Sequence, residues 1–311
     1  MNSHNIGIDL GGTRIKIGLV SGNTLLGKKV LSARSVQGLF SHLPLIDEAI
    51  GGLLQEYEVA RLEGVSMAFP GLVNPHTKRV LSTNQKYDDA PLLDLEDYYR
   101  NRWNAAFFID NDARMATVGE WKYGAGRGCD DLVMVTIGTG IGTSVIMQGK
   151  LVRGKHFQAG CLGGHFVVSF DGKPCTCGNI GCVEAEASTW NVASLAKAHP
   201  HFAQSSLVGR EVDFRELFAA AKNGDEVAAG LREHCLKVWA AGIITYIHAY
   251  DPEMVILGGG ILNSADVILP YIREQVDKHA WTPWGQVAIR VTDLQDTAGI
   301  LGAVYCFQNN L

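Results

Sequence analysis

The sequence has no run of the roughly 18 to 20 uninterrupted apolar residues that a membrane-spanning helix requires. Its first residues, MNSHNIGIDL, lack the basic segment and the apolar core of a secretory signal. We therefore expect neither membrane insertion nor secretion, and we predict a cytoplasmic protein.

Basic residues are fewer than acidic ones. The chain has 27 Lys and Arg against 32 Asp and Glu, which gives a net charge of −5. A general nucleic-acid binder would be basic, so this balance argues against one. Charged residues make up only 19% and hydrophobic residues 47%, which excludes a disordered chain and leaves ample core for one or two domains in 311 residues.

Apolar runs that end in glycine-rich turns occur at similar places in both halves of the chain. Asn5 to Leu10 reads as a strand before the turn DLGGT, and Leu132 to Ile137 reads as a strand before GTGIG. An offset of 127 residues (138 minus 11) places Gly11 on Gly138 and also aligns the glycines of two later turns. We predict an α/β fold with a duplicated core unit and two related lobes that face one cleft. The smaller lobe is predicted to comprise residues 1–118 and 297–311, and the larger lobe residues 119–296.

Both glycine-rich turns follow a buried strand, where exposed backbone amides can bind phosphate oxygens. An ordinary hairpin is the alternative for either turn alone, because such glycine patterns are common. The pairing of the turns, together with a third glycine run, favours nucleotide binding. No G-K-[ST] follows, so neither is a Walker A loop, and both lead into strands, unlike a dinucleotide fingerprint. The candidate residues are Gly11, Gly12, Thr13, Gly138, Thr139, Gly140, Gly142, Gly258, Gly259 and Gly260, with Asp9 as a candidate to hold Mg²⁺ through water.

Four potential soft-metal ligands lie within the eighteen residues from 165 to 182: His165, Cys175, Cys177 and Cys182. One His and three Cys form a common closed zinc set, which leaves no open position for chemistry and so indicates a structural metal. Disulfides or free thiols are the alternative. Seven cysteines in a long chain without a signal peptide, with close C-x-C spacing, favour zinc.

Several polar residues are candidates for catalysis or substrate contact. Asp112 follows Asn111 where a strand gives way to a helix, and the alternative is that both simply cap the helix. The functional interpretation is a general base whose carboxylate the helix N-terminus keeps ionised, as kinases use to accept a proton from an alcohol. His165 is a candidate zinc ligand, substrate contact or both, while Glu184 and Asn84 are candidate substrate contacts.

Six motifs occur in a characteristic order. They are DLGGT near the start, PG at Pro70-Gly71, ND at Asn111-Asp112, TIGTGIG from Thr136 to Gly142, CTCGNIGCVE from Cys175 to Glu184, and LGGG from Leu257 to Gly260. Together they resemble the ROK family (repressors, open reading frames and sugar kinases). The resemblance covers essentially the whole chain, and the C-x-C-G-x-x-G-C-x-E element is its most specific part.

The resemblance implies a two-lobed, actin-like and hexokinase-like (ribonuclease H-like) fold that binds ATP and sugar between its lobes, and a homodimer. It implies a glucokinase-like transfer of the ATP γ-phosphate to a sugar hydroxyl, most simply the 6-OH of an aldohexose. Asp112 would be the catalytic base. The other implied roles are sugar contacts for Asn111, His165 and Glu184, zinc ligation by His165, Cys175, Cys177 and Cys182, phosphate binding by the first two glycine turns, and an adenosine contact for Gly258 to Gly260.

The chain departs from the family pattern at one position. Family kinases usually carry Glu-x-Gly-His, in which the Glu also binds the sugar, whereas Leu162 stands three residues before His165. Sites that pair substrate hydroxyls discriminate strongly, so the substrate is left open among another hexose, an amino sugar and a sugar derivative. The departure also motivates an alternative, a catalytically silent sugar sensor. A repressor of the same family would carry a helix-turn-helix before the kinase-like part, and a first strand beginning by about Asn5 argues against that alternative.

Overall fold

The computed structural model describes residues 3–311, which form two compact units. Unit 1 comprises the chain up to Asp130 together with Gly149–Cys161 and Asp293–Leu311. Unit 2 comprises Asp131–Gln148 and Leu162–Thr292. Within residues 3–311, no helix combines the length and the apolar character that a membrane crossing requires.

Strands and helices alternate along most of the chain. The strands are β1 (His4–Leu10), β2 (Arg14–Ser21), β3 (Thr24–Ser32), β4 (Gly64–Phe69), β5 (Gly71–Asn74), β6 (Arg79–Thr83), β7 (Ala106–Asn111), β8 (Leu132–Ile137), β9 (Ile141–Met147), β10 (Lys150–Leu151), β11 (Met254–Gly258) and β12 (Ala288–Val291). The helices are α1 (Leu43–Glu56), α2 (Leu95–Trp103), α3 (Asp112–Tyr123), α4 (Val183–Ala187), α5 (Thr189–Lys197), α6 (Phe214–Lys222), α7 (Glu226–Tyr250), α8 (Ala265–His279) and α9 (Ala298–Asn309). The mixed α/β class is as predicted.

Unit 1 is built on a five-stranded sheet in the order β3-β2-β1-β4-β7. The first three strands form an antiparallel meander, and β1, β4 and β7 run parallel. Helix α9 packs closely on this sheet because β1 and β2 carry glycines there. A Cβ on Gly7 would lie 2.7 Å from the carbonyl oxygen of Ile300, and one on Gly18 would lie 2.8 Å from an Ile300 methyl group.

A second five-stranded sheet has the same connectivity, in the order β10-β9-β8-β11-β12. Its first strand, β8, pairs antiparallel with β9 and parallel with β11, as β1 pairs with β2 and β4. The last strand, β12, pairs parallel with β11, as β7 pairs with β4. Identical strand order in both sheets confirms the duplicated core unit that the glycine spacing predicted.

The compact units differ from the predicted lobe boundaries. A division after residue 118 would cut α3, which lies entirely in unit 1, as do residues 149–161. The reason is the close packing of α3 on α9. A Cβ on Gly119 would lie 2.2 Å from the carbonyl oxygen of Ala298, and one on Gly302 would lie 1.8 Å from that of Met115.

Two local features have no counterpart in the sequence-based prediction, the hairpin of β5 and β6 and the short helix α4. Helix α2 begins at Leu95, because Asp94 is its N-cap and accepts a hydrogen bond from the backbone N–H of Asp97 at 3.0 Å.

Candidate functional site

The candidate residues of unit 1 lie at the carboxyl ends of its parallel strands. Asp9 of β1, Ala68 of β4 and Asp110 of β7 are in register across the sheet. The first glycine turn follows β1, and Asn111 and Asp112 follow Asp110 at the β7–α3 junction. This edge of a parallel sheet is where α/β proteins commonly bind ligands.

Asp112 is the first residue of α3, and Asn111 is the N-cap. The Asn111 side-chain oxygen accepts from the backbone N–H of Arg114 at 3.2 Å. Asp112 Oδ1 accepts from the backbone N–H of Ala113 at 2.8 Å and from Asn111 Nδ2 at 3.0 Å. The same Nδ2 donates to the carbonyl oxygen of Gly71 at 3.1 Å. Capping therefore fixes Asn111, which in turn orients the Asp112 carboxylate.

The environment of Asp112 raises its pKa to about 6. Burial is the main cause, while the charge of Lys86 lowers the pKa and that of Asp9 raises it. The sequence-based argument considered only the helix N-terminus, which favours the carboxylate, and burial outweighs it. At pH 7 a group with this pKa is still about nine-tenths ionised, so Asp112 can accept a proton.

Lys86 is a candidate functional residue that the sequence did not reveal. A Cβ on Gly12 would lie 3.2 Å from Lys86 Cε and 3.7 Å from its Nζ, so the ammonium group is beside the first glycine turn. The next residue, Tyr87, donates its hydroxyl to the carbonyl oxygen of Gly11 at 2.8 Å. Lys86 belongs to a polar segment without periodicity, which is why no sequence signal pointed to it. Asn84 lies exposed in the same segment.

Asp9 makes an ion pair in the structure. Lys16 Nζ lies 3.2 Å from its carboxylate and 3.0 Å from that of Asp296. A Cβ on Gly299 would lie 3.0 Å from the Asp9 carboxyl carbon, so glycine keeps α9 close to this side chain. The Asp9 side chain is 19% exposed, which leaves part of the carboxylate accessible to a hydrated cation.

A buried ionic network lies next to Asp112 in sequence, and the sequence-based analysis missed it. Asp110 accepts from Arg114 Nη1 at 3.2 Å and from Arg153 Nε at 2.8 Å, and both the Asp110 and Arg114 side chains are completely buried. Arg114 also donates to the carbonyl oxygens of Phe157 and Ala159, at 2.9 and 3.1 Å. This network ties the β7–α3 junction to residues 157–159 of the same unit.

In unit 2 the second glycine turn is held by backbone hydrogen bonds. The N–H of Gly138 donates to the carbonyl oxygen of Gly140 at 2.9 Å and closes the turn. The N–H groups of Thr189 and Trp190, at the start of α5, donate to the carbonyl oxygens of Gly138 and Thr139, both at 3.1 Å. Helix α5 thus satisfies two of its free N-terminal donors on the turn. The predicted residue Gly142 lies in β9, opposite Thr136 and beyond the turn.

The third glycine run lies against the second turn. Gly258 ends β11 and is in register with Thr136 of β8. Gly259 has φ of +96°, a region that favours glycine, and a Cβ there would lie 2.1 Å from the carbonyl oxygen of Ile137. The structure therefore brings the second and third glycine runs together at the carboxyl ends of β8 and β11.

Glu184 contacts the second turn directly. Its Oε2 accepts a hydrogen bond from the backbone N–H of Ile141 at 2.7 Å. A Cβ on Gly140 would lie 2.5 Å from the same oxygen. The side chain is only 8% exposed. The sequence pointed to Glu184 as a polar candidate but gave no sign of this contact.

The four predicted metal ligands come together in unit 2. The ligand atoms of His165, Cys175, Cys177 and Cys182 all lie within 4.8 Å of one another. His165 Nδ1 is 3.5 Å from Cys175 Sγ, and the sulfurs of Cys177 and Cys182 are 3.8 Å apart. That separation is far beyond a disulfide bond of about 2.05 Å. It matches the edge of a tetrahedron with Zn–S bonds of about 2.3 Å, so the four residues fit a zinc ion.

The backbone around this cluster depends on glycine. Gly178 and Gly181 both have positive φ, at +89° and +70°. A Cβ on Gly181 would lie 1.6 Å from the carbonyl oxygen of Ser169. Glu186, buried in α4, accepts from the backbone N–H of Lys173 and holds the start of the cysteine segment. The segment is thus shaped for convergence of its side chains.

Comparison with known proteins agrees with this arrangement. The model of the ROK family matches residues 5–310. The chain belongs to the ROK family. This result confirms the resemblance seen in the motifs.

The relatives include kinases and regulators. A glucokinase from Thermotoga maritima is 33% identical over 306 residues, which cover 96% of this chain and 95% of the relative. A ROK family glucokinase from Streptomyces griseus, solved in complex with glucose and AMPPNP, is 29% identical with a TM-score of 0.81 and covers 98% of this chain and 100% of its own. A xylose repressor from Caldicellulosiruptor bescii is 27% identical over 251 residues, 78% of this chain and 61% of the repressor. These neighbours confirm the actin-like, hexokinase-like fold.

Proposed function

We propose that this protein is an ATP-dependent sugar kinase, which transfers the γ-phosphate of ATP to a hydroxyl of a hexose or hexose derivative, most simply the 6-OH. The observation that carries the proposal is the Asp112 site. A partly buried, mostly ionised carboxylate with a pKa of about 6 stands at the β7–α3 junction and is electrostatically coupled to Lys86 beside the first glycine turn. The glucokinases from T. maritima and S. griseus support the assignment.

Asp112 is the proposed general base. The hydroxyl oxygen of the sugar attacks the γ-phosphorus of ATP, and its proton passes to the Asp112 carboxylate. The new bond joins the sugar oxygen to phosphorus, and the bond from phosphorus to the β–γ bridging oxygen breaks, so that ADP leaves with the electron pair. A base with a pKa near 6 is ionised at neutral pH and still basic enough to take the proton.

Phosphate binding is proposed for both glycine turns. The amides of Gly11 and Gly138 close the two turns by donating to the carbonyl oxygens of Arg14 and Gly140, so the proposed phosphate donors are the amides of Gly12, Thr13, Thr139 and Gly140. Lys86 adds a positive charge next to the first turn. Gly258 to Gly260 are the proposed adenosine contact. Asp9 is the side chain that would hold Mg²⁺ through water, and bound Mg²⁺ would neutralise phosphate charge in the transition state.

The proposed sugar contacts are the polar residues Asn84, Asn111, Asp112, His165 and Glu184. Leu162 removes a carboxylate that family kinases usually provide. A sugar hydroxyl that needs this acceptor would be left unpaired, and its binding would be weakened strongly. We therefore propose a sugar whose hydroxyl pattern does not require the acceptor.

Zinc is proposed as a structural ion bound by His165, Cys175, Cys177 and Cys182. A closed set of four protein ligands leaves no position for substrate. Its role would be to fix the short segment that carries His165 and leads into Glu184. With Nδ1 directed at the sulfurs, the Nε2 atom of His165 is the ring nitrogen left for a sugar hydroxyl.

The test is ADP release by purified protein with Mg·ATP over a panel of hexoses, amino sugars and N-acetyl amino sugars. Turnover on one sugar establishes the kinase and shows which substrate Leu162 accommodates. A sugar that raises the melting temperature but gives no ADP would favour the second candidate, a catalytically silent sugar sensor. Leu162 is the observation that favours that candidate.

A further inference from the structure

Glu184 is placed between two functional segments of unit 2. It is the second residue of α4 and stands two residues after the metal-ligand candidate Cys182. Its Oε2 atom accepts from the backbone N–H of Ile141, immediately after the second glycine turn, at 2.7 Å. A buried carboxylate bonded to a backbone amide is a charge-assisted hydrogen bond, which is stronger and shorter than a neutral one.

The turn is shaped to receive this carboxylate. At Gly140 any side chain would collide with Glu184, since a Cβ would lie 2.5 Å from Oε2 and 3.1 Å from the carboxyl carbon. At Gly138, in the same turn, a Cβ would meet no atom within 4 Å. The two glycines therefore have different surroundings. The missing side chain of Gly140 leaves space for the Glu184 carboxylate, whereas Gly138 lies beside open space.

The other side of the turn is also fixed. The amides of Thr189 and Trp190 donate to the carbonyl oxygens of Gly138 and Thr139. With its carbonyl groups engaged by α5 and the amide of Ile141 engaged by Glu184, the turn is held in one conformation. Fixed amide donors bind phosphate oxygens without a further ordering cost.

We propose that Glu184 is a positioning residue for nucleotide binding: through Ile141 it holds the second glycine turn in its phosphate-binding conformation, in addition to its proposed contact with the sugar. The assignment of the turn to nucleotide rests on the proposed kinase function. A single side chain then links the segment that recognises the sugar to the turn that binds the phosphates. A substitution in either segment should therefore change the binding of the ligand at the other.

The first experiment measures the Kd of ADP by calorimetry, without sugar, for the wild-type protein, Glu184→Gln and Glu184→Ala. Glutamine keeps a side-chain oxygen that can accept from Ile141, so its Kd should stay close to the wild-type value. Alanine removes the acceptor, and the Kd should rise by about tenfold or more, which corresponds to ~1.4 kcal/mol. If the carboxylate acted only through its charge, the Kd of ADP for Glu184→Gln would rise as much as that for Glu184→Ala.

The second experiment changes the turn and measures the KM for the sugar. Gly140→Ala should displace the Glu184 carboxylate and raise the KM for the sugar, although residue 140 belongs to the nucleotide turn. Gly230→Ala in α7 is the control, because an added methyl group there meets no atom within 4 Å and the residue is outside the proposed site, so the KM for the sugar should not change. Far-UV circular dichroism and melting temperature establish that each variant is folded.

Two results overturn the inference. One is a folded Glu184→Ala protein that binds ADP with the wild-type Kd. The other is an equal KM for the sugar in Gly140→Ala and Gly230→Ala. Failure of the proposed function would look different, since the wild-type protein itself would then bind no ADP, and that result would overturn both proposals.

Discussion

At the scale of single residues, Asp110 and Asp112 show how two carboxylates only two positions apart acquire different roles. Asp110 is completely buried and satisfied by Arg114 and Arg153. Asp112 accepts instead from the neutral groups of Ala113 and Asn111, and burial raises its pKa to about 6. The first carboxylate is suited to holding structure, and the second to exchanging a proton.

The pH dependence of turnover should report on Asp112. Its proton-accepting form is lost below about pH 6, so kcat should rise with pH through about 6 and then level off. Lys86 lowers this pKa, so Lys86→Met should move the midpoint to higher pH. Lys86→Arg keeps the positive charge and should leave the midpoint near its wild-type position. Profiles compared at the same Mg·ATP concentration cancel the titration of the nucleotide, and equal midpoints for Lys86→Met and wild type would contradict the assignment.

Asparagine substitutions at Asp112 and Asp110 should have opposite effects on the free energy of unfolding. The folded pKa of Asp112 lies above its ordinary value of 3.8, so the folded state binds more protons than the unfolded state between about pH 4 and 6, and stability falls as the pH rises through that window. Asp112→Asn should therefore raise the free energy of unfolding at pH 7, by ~1–3 kcal/mol. Asp110→Asn leaves the buried guanidinium of Arg114 and the partly buried one of Arg153 poorly paired, and should lower the free energy of unfolding by ~3–5 kcal/mol. Urea denaturation at pH 7 measures both, and the same sign for the two variants would refute this account.

At the scale of elements, the segment from residue 163 to α4 has little regular secondary structure and is folded by tight turns and isolated backbone bridges. The bridges Val167–Cys182 and Pro174–Ile180 and the positive φ of Gly178 and Gly181 fold it tightly. Cys175, Cys182 and Ala185 form a small buried cluster of their own. With so little apolar core, a bound metal would supply much of the stability of this segment.

Metal analysis of the purified protein should find about one zinc per chain, as a single four-ligand site requires. Cys177 is the exposed ligand of the set, and Cys177→Ser should lower the zinc content and the affinity for sugar together. Cys161→Ser leaves all four ligands in place and should retain the zinc. A fully folded wild-type protein free of metal would contradict the proposed site.

At the scale of the whole molecule, the repeated sheet order explains which parts were predictable. The strand–turn–strand pattern at Asn5–Val20 recurs at Leu132–Met147, and that repetition alone predicted the duplicated unit. Residue chemistry also predicted the metal-ligand cluster. Each of these features depends on residues close together in the sequence, so it can be recognised without knowledge of the fold.

Other features depend on contacts between distant positions and left no local signal. Lys86 is an unremarkable lysine in a polar segment until the structure places it beside Gly12. The bond from Ile141 to Glu184 joins residues 43 positions apart. The hairpin of β5 and β6 is short, and the compact units do not divide near residue 118 because the packing of α3 on α9 joins distant segments.

The central claim is that Asp112 is the base of a sugar kinase, and the most direct test is turnover by Asp112→Asn on the sugar that the wild-type protein uses best. Loss of a general base should lower kcat by about 10²- to 10⁴-fold. Sugar and ADP should still bind, because Asn111, His165, Glu184 and the glycine turns remain. A folded Asp112→Asn protein with a kcat close to that of the wild type would show that Asp112 is not the base.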